Sequence, residues 1–349
     1  VKFFHCLRKN ERSREKANQS QPLGDLMMIK KVLFFTLSNF GDVILTLPVL
    51  DTLRQEYPQA LITVMVGPRA AGVFSNNPYV NNLIIYDKHA PLREKMRLFF
   101  KLKDEDFDLV VDLRNTLYGA LLPARFRTSP FLHMPSHIRH MKERNLYRLI
   151  KALRYKQPCK EVKEKSIYIT SEDQDYINTL LREKGINPQK KIIIVSPATG
   201  GKTRRWPREN FIQLCQSLAG DYPVILIGRQ QDKDLTGFIK AKTSNRVFDF
   251  AGLTNLAQLT SLLKRVSLVV VCDTGILQLT SYLDIPIVGL FGPSDEHRYG
   301  PWSDRFRIVT ASVTCRPCRR PDCRFHTNEC MKKISINQVL DSIDELLKS

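Results

Sequence analysis

The sequence has no apolar run long enough to cross a membrane. Its longest uncharged stretches, Val32–Leu37 and Val266–Cys272, fall far short of the roughly 18 residues that a spanning helix needs. It shows no secretory leader, because Phe3–Phe4 are followed by Arg, Lys, Glu, Asn and Gln rather than by an apolar core. Eight cysteines in 349 residues are too sparse for a disulfide scaffold, so a reducing, cytoplasmic compartment is the expectation. No internal repeat or low-complexity tract is present. The chain is also short of acid: 35 Asp and Glu face 54 Lys and Arg, a formal charge of +19. That imbalance predicts an anionic partner, whether nucleic acid, a membrane surface or a phosphorylated substrate.

With 43 % apolar residues the chain is globular, and its length favours two domains. Residues 1–27 lack hydrophobic periodicity and are expected to form a basic tail, at most partly helical. Short apolar runs at 31–37, 60–66, 82–86 and 107–112 then alternate with helical patterns at 43–57, 69–75, 92–102 and 116–124. A basic, proline-punctuated segment at 125–156 holds nine Lys/Arg, one acid (Glu143) and three histidines, His133, His137 and His140. A helix is expected over 142–153. Strands then recur at 191–196, 222–227, 246–249, 267–271 and 286–290. Helices accompany them at 172–185, 208–219, 232–240, 255–264 and 276–283, with a last helix at 336–347. This rhythm predicts an α/β fold of two Rossmann-like, doubly wound domains facing a cleft: 28–170 and 171–335, closed by a C-terminal helix at 336–349.

Five constellations carry chemistry. After the first strand, Ser38-Asn39-Phe40-Gly41-Asp42 opens a helix. Asp42 there either caps the helix or accepts a proton. After the strand at 191–196 comes Thr199-Gly200-Gly201-Lys202-Thr203-Arg204-Arg205-Trp206-Pro207. Its hydroxyls, cations and close-approach glycines suit a diphosphate, but the Walker A spacing is absent. Cys272 ends a buried strand, and Asp273-Thr274-Gly275 follows at a helix mouth where backbone amides attract an anion. Cys315-x2-Cys318-x4-Cys323-x6-Cys330, rich in arginine, has a spacing that could hold zinc and touch nucleic acid. The segment 125–156 offers a site for an anionic acceptor or an anionic leaflet, against the plainer reading of a solvated face.

In order, Ser38-x2-Gly41-Asp42 with Leu47-Pro48, Tyr57-Pro58-x-Ala60, Arg204-Arg205-Trp206-Pro207, Asp273-Thr274-Gly275, Leu290-Phe291-Gly292-Pro293 and the cysteine cluster resemble glycosyltransferase family 9, the lipopolysaccharide heptosyltransferases. The resemblance implies the GT-B arrangement, with an N-terminal acceptor domain and a C-terminal domain for a nucleotide-sugar donor, typically ADP-heptose. It implies inverting, metal-independent transfer with no cofactor beyond the co-substrate. It makes Asp42 the catalytic base. Donor contacts would come from Thr199, Gly201, Lys202, Thr203, Arg204, Gln230, Asp273, Thr274, Gly275 and Gln278. Acceptor contacts would come from Ser38, Asn39, Gly41, Arg125, Arg127, Arg139, Lys142 and Arg144. The partners implied are the donor, an anionic glycolipid and peripheral contact with the inner membrane leaflet, without nucleic acid. Two positions depart from the family pattern. Gln278 stands where histidine is usual, and Gln230 where an acid holding the ribose is usual. Rival readings are a family member with another nucleotide sugar or polysaccharide acceptor, a non-catalytic sugar-nucleotide binder, and a zinc-cluster nucleic-acid-binding protein using Cys315, Cys318, Cys323 and Cys330.

Overall fold

The structure, a computed structural model, describes residues 29–154 and 165–348. The tail at 1–27, Cys159 and the last two residues of the 125–156 segment lie outside the described residues. The chain divides into two units, the first ending at Ser166 and the second beginning at Ile167.

The first unit is built on a parallel five-stranded sheet. Its strands are β1 (Lys31–Phe35), β2 (Leu61–Val66), β3 (Asn82–Ile85), β4 (Leu109–Asp112) and β5 (Phe126–Arg127), in the order β3-β2-β1-β4-β5. Val32 pairs with Ile62 on one side and Leu109 on the other. β2, β1 and β4 are the inner strands, and Ile62–Val66, Val32–Phe35 and Leu109–Val111 are buried, as strands covered on both faces must be.

The second unit carries β6 (Ile193–Ser196), β7 (Val224–Leu226), β8 (Val247–Asp249), β9 (Leu268–Cys272), β10 (Ile287–Phe291) and β11 (Phe306–Thr310). All pairs are parallel, in the order β11-β10-β9-β6-β7-β8. In each sheet the order reverses once, between β1 and β4 and between β6 and β9. The carboxyl ends of those strands flank the crevice where such sheets bind ligands.

The alternation expected from the sequence is present, with local differences. The helix expected over 43–57 is two, Phe40–Ile44 and Leu47–Glu56. Pro48 has no N–H to continue the ladder, and Thr46 turns its hydroxyl onto the Val43 carbonyl at 2.6 Å and the Thr36 hydroxyl at 2.6 Å. The 69–75 pattern forms a 3₁₀ helix, Pro68–Val73. The helix expected at 116–124 is confined to Leu117–Leu121, before Pro123. The edge strands β5 and β11 and the short helices Glu296–Tyr299 and Glu329–Lys332 were not anticipated.

Candidate active site

In the first unit the crevice is formed by the turn after β1 and the turn after β4. Asn39 stands at the N-cap of Phe40–Ile44 and Asp42 in its first turn, so Asp42 is not the cap. The Asn39 amide donates to the Asp42 carboxylate at 3.1 Å, leaving the other carboxylate oxygen unengaged by this bond. Beside it, the Ser38 hydroxyl accepts from the Arg114 guanidinium at 2.6 Å. Gly41 lies inside the helix, and its carbonyl accepts from the Leu45 N–H.

Arg114 was not singled out from the sequence. It emerges just past β4, stacks over Phe35 and Tyr86 at 5.8 and 5.4 Å, and reaches the β1 turn. Asp112, buried at the end of β4, shapes this turn by accepting from the Arg114 N–H, the Thr116 N–H and the Thr116 hydroxyl at 2.7–2.8 Å. A side chain at Gly119 would collide with the Asp112 carboxylate, so the following helix closes on the acid only because that residue is glycine.

The basic segment is not one cluster. Arg125 and Arg127 lie at the β5 edge, and Arg127 donates to the Ala120 carbonyl. Arg139 is exposed ahead of the helix Met141–Ala152, which carries Lys142 and Arg144. That helix is tied to the β1 turn region by Asn145, whose buried amide donates to the Leu45 carbonyl at 3.1 Å. One turn on, Arg148 donates to the Asn115 side chain. Burial, then the Arg144 charge, lowers the affinity of Arg148 for its proton, with Asp112 opposing. Asn145 and Arg148, also missed from the sequence, are what join the basic helix to the crevice.

In the second unit the crevice brings together two motifs far apart in sequence. Arg204, after β6, donates to the Asp273 carboxylate at 3.2 Å and to its carbonyl at 3.4 Å. Asp273, 8 % exposed, also accepts from Ser294 of the Phe291–Ser294 loop at 2.5 Å. Trp206 is fully buried, with its indole N–H on the Ile334 carbonyl at 3.0 Å and its ring edge-on to Phe211. It is the anchor that fixes the path of the arginine loop. Thr199 donates to the Gly201 carbonyl, and Thr203 to the Pro321 carbonyl. Lys202 is exposed.

The helix Gly275–Tyr282 points its N-terminus at this pair. Its N-cap, Thr274, makes no side-chain cap bond, and its hydroxyl is buried without a hydrogen-bond partner. One turn on, Gln278 is 3 % exposed and donates to the Tyr299 carbonyl at 2.6 Å, while its side-chain oxygen is also buried and unpartnered. The Arg205 Nε is in the same condition. Left unpartnered, each such atom costs about 1–3 kcal/mol. Gln230 is exposed and lies over Gly252, whose φ of +69° and crowding by the Gln230 amide admit no side chain. The acid of that loop, Asp232, is buried and turned onto the Arg229 N–H at 2.9 Å.

Cys315, Cys318, Cys323 and Cys330 line one cavity of about 650 Å³ together with Thr203 and Pro293. All four are free thiols, and among the described residues no three His, Cys, Asp or Glu gather to hold a metal ion. The cysteine spacing folds as a loop wrapped on Gly292–Glu296. Arg316 holds Glu296 at 3.0 Å, Arg319 pairs with Asp295, and the Arg319 N–H bonds the Pro293 carbonyl.

Comparison with known proteins follows the same lines. The model of glycosyltransferase family 9 (heptosyltransferase) matches residues 95–328. Lipopolysaccharide heptosyltransferase 2 of Salmonella typhimurium (strain LT2) is 24 % identical, over 91 % of this chain and 98 % of that protein. The solved glycosyl transferase family 9 structure from Veillonella parvula superposes with a TM-score of 0.77 at 20 % identity, covering 91 % of this chain and 97 % of its own. The E. coli ADP-heptose lipopolysaccharide heptosyltransferase II structure does so at 0.71 and 21 %, covering 91 % and 98 %. The fold is shared with both.

Proposed function

The chain belongs to glycosyltransferase family 9, and from that premise we propose that it transfers heptose from ADP-heptose to the inner core of a lipopolysaccharide acceptor, with inversion at the anomeric carbon. The observation that carries the reading is the Arg204–Asp273 pair at the mouth of a helix whose cap hydroxyl is unpartnered.

A sugar hydroxyl is a poor nucleophile until its proton has somewhere to go. Asp42 takes that proton as the acceptor oxygen bonds to the anomeric carbon, and a positioned base of this kind contributes ~10²–10⁴-fold. As the new C–O bond forms, the bond to the β-phosphate breaks and ADP departs with added charge. Arg204, Lys202 and the amides of the Thr274–Gly275 helix mouth take up that charge, and being fixed beforehand they do so without reorganising. The Thr274 hydroxyl and the Gln278 oxygen serve the donor as further polar contacts, and Asp273 holds Arg204 in place. Gln278 donates and accepts without acquiring charge, so its contact is independent of pH where a histidine's is not.

On the acceptor side, Ser38, Asn39 and Arg114 frame the base. The basic residues from Arg125 to Arg148 draw in the phosphorylated core of a glycolipid. No helix of the described residues is long and apolar enough to cross a membrane. The enzyme works in the cytoplasm, against the inner membrane leaflet, and requires no divalent ion.

The test is transfer itself. The full chain is incubated with ADP-heptose and lipopolysaccharide lacking the terminal core heptose, and the product is analysed by mass spectrometry and by anomeric proton coupling. One added heptose of inverted configuration supports the reading. Transfer from UDP- or GDP-sugars alone overturns the donor assignment.

A further inference from the structure

The helix Leu92–Lys103 packs one face into the first unit. Leu98, Phe99 and Leu102 meet the cluster formed by Leu33, Phe35, Met65 and Phe107. At 100° per residue, Leu92, Met96 and Phe100 form a second stripe along the helix, and Arg93, Arg97 and Lys101 a third beside it. The apolar stripe is turned to solvent: Leu92 is 74 % exposed, Met96 45 % and Phe100 53 %. The basic stripe is exposed too, and none of its members enters a salt bridge among the described residues. Lys103 extends it, and Glu94 is the helix's one acid.

Two parallel stripes, one apolar and one cationic, are the pattern of a helix that lies in a lipid interface, its apolar side chains among acyl chains and its cations among anionic headgroups. A second copy of this chain is a poorer occupant, because a two-fold pairing sets the basic stripe against itself. Neither the core nor the crevice uses these six side chains.

We propose that the exposed face of Leu92–Lys103 is the surface by which this protein docks on an anionic lipid membrane. The proposal deepens the reading of a membrane-borne acceptor, and rests on it for the choice of occupant. Apolar burial and headgroup attraction act together on one face, so removing either weakens docking.

The experiment is flotation of the full chain with vesicles of phosphatidylethanolamine containing about 30 % phosphatidylglycerol, against vesicles of phosphatidylcholine alone. The unaltered protein is expected to float with the anionic vesicles only, and to be released by about 0.5 M salt. The triple variant Leu92→Ser, Met96→Ser, Phe100→Ser should lose at least about ten-fold in partition. Arg93→Gln, Arg97→Gln, Lys101→Gln should lose about 100-fold. Lys190→Gln with Lys191→Gln, exposed in the second unit, should leave partition unchanged. Should a triple variant fold poorly, lysine acetylation of the unaltered protein reads the same surface: vesicles should shield Lys101 and Lys103 but not Lys190 and Lys191. Stripe variants that float like the parent overturn the proposal. So does equal flotation with phosphatidylcholine, equal acetylation of all four lysines, or a stripe-dependent dimer in sedimentation without vesicle binding. Transfer to a lipid-free acceptor should be unaffected by the stripe variants. Its absence in the unaltered protein overturns the transferase reading and leaves the flotation result standing.

Discussion

Replacing Thr274 by valine separates a structural cap from a ligand group, because the two roles predict opposite signs. A threonine that caps a helix stabilises it by about 0.5–2 kcal/mol, and its loss lowers the melting temperature. Here the hydroxyl makes no cap bond and is buried without a partner. Thr274→Val therefore removes no hydrogen bond and relieves a desolvated polar group worth about 1–3 kcal/mol. The backbone at this position is extended, with φ −147° and ψ 175°, which a β-branched side chain adopts without strain. The expected result is a stabilisation of about 1–2 kcal/mol, or about 2–4 °C of melting temperature per kcal/mol for a unit of this size. The same variant should bind ADP about ten-fold more weakly, since a hydrogen bond to a charged phosphate is lost. Scanning calorimetry and titration calorimetry read the two effects in one preparation. A variant that is less stable and binds ADP normally refutes the reasoning, for then the hydroxyl serves the helix and not the donor.

Other outcomes follow from the same geometry. Arg204→Gln should lower kcat by about 10²–10³-fold, with Arg204→Lys retaining part of the rate because charge survives while the two contacts to Asp273 do not. Thiol alkylation of the native protein at pH 8, followed by peptide mass spectrometry, should label Cys323 well before Cys215 and Cys272. Backbone N–H groups of Asn328 and Phe325 pull the Cys323 pKa down, whereas burial pushes the other two up to about 12. Burial raises the carboxyl pKa of Glu143 above its ordinary 4.5, with Lys142 and His137 opposing. Its charged form therefore costs stability at neutral pH and costs nothing below 4.5. Glu143→Gln should raise the melting temperature at pH 7, and the gain should vanish as pH falls below that value.

How far the sequence could be read is clear from particular residues. β1, β4, β6 and β9 are buried on both faces, so they appear as unbroken apolar runs, and their turns carry the polar motifs. β5 and β11 are edge strands, each interrupted by an exposed arginine, Arg127 and Arg307, and they leave no such run. Pro48 was visible as a residue but not as the point where one helix becomes two, because the competing Thr46 contacts are tertiary in part. Arg204 and Asp273 were each legible from local pattern. Their meeting is a property of sheet order, which places β6 beside β9. Arg114, Asn145 and Arg148 carried no motif, since their importance comes from which strand end and which turn they reach. The cysteine cluster was legible as a spacing, but the contacts of Arg316 and Arg319 that fasten its loop to Gly292–Glu296 were not, because they are tertiary.

In the proposed mechanism Asp42 is the base that takes the acceptor proton. Asp42→Asn, assayed for heptose transfer from ADP-heptose alongside titration of ADP, should lose about 10²–10⁴-fold in kcat while its affinity for ADP stays within about two-fold of the parent. Turnover close to that of the unaltered enzyme, with ADP affinity intact, would contradict the account.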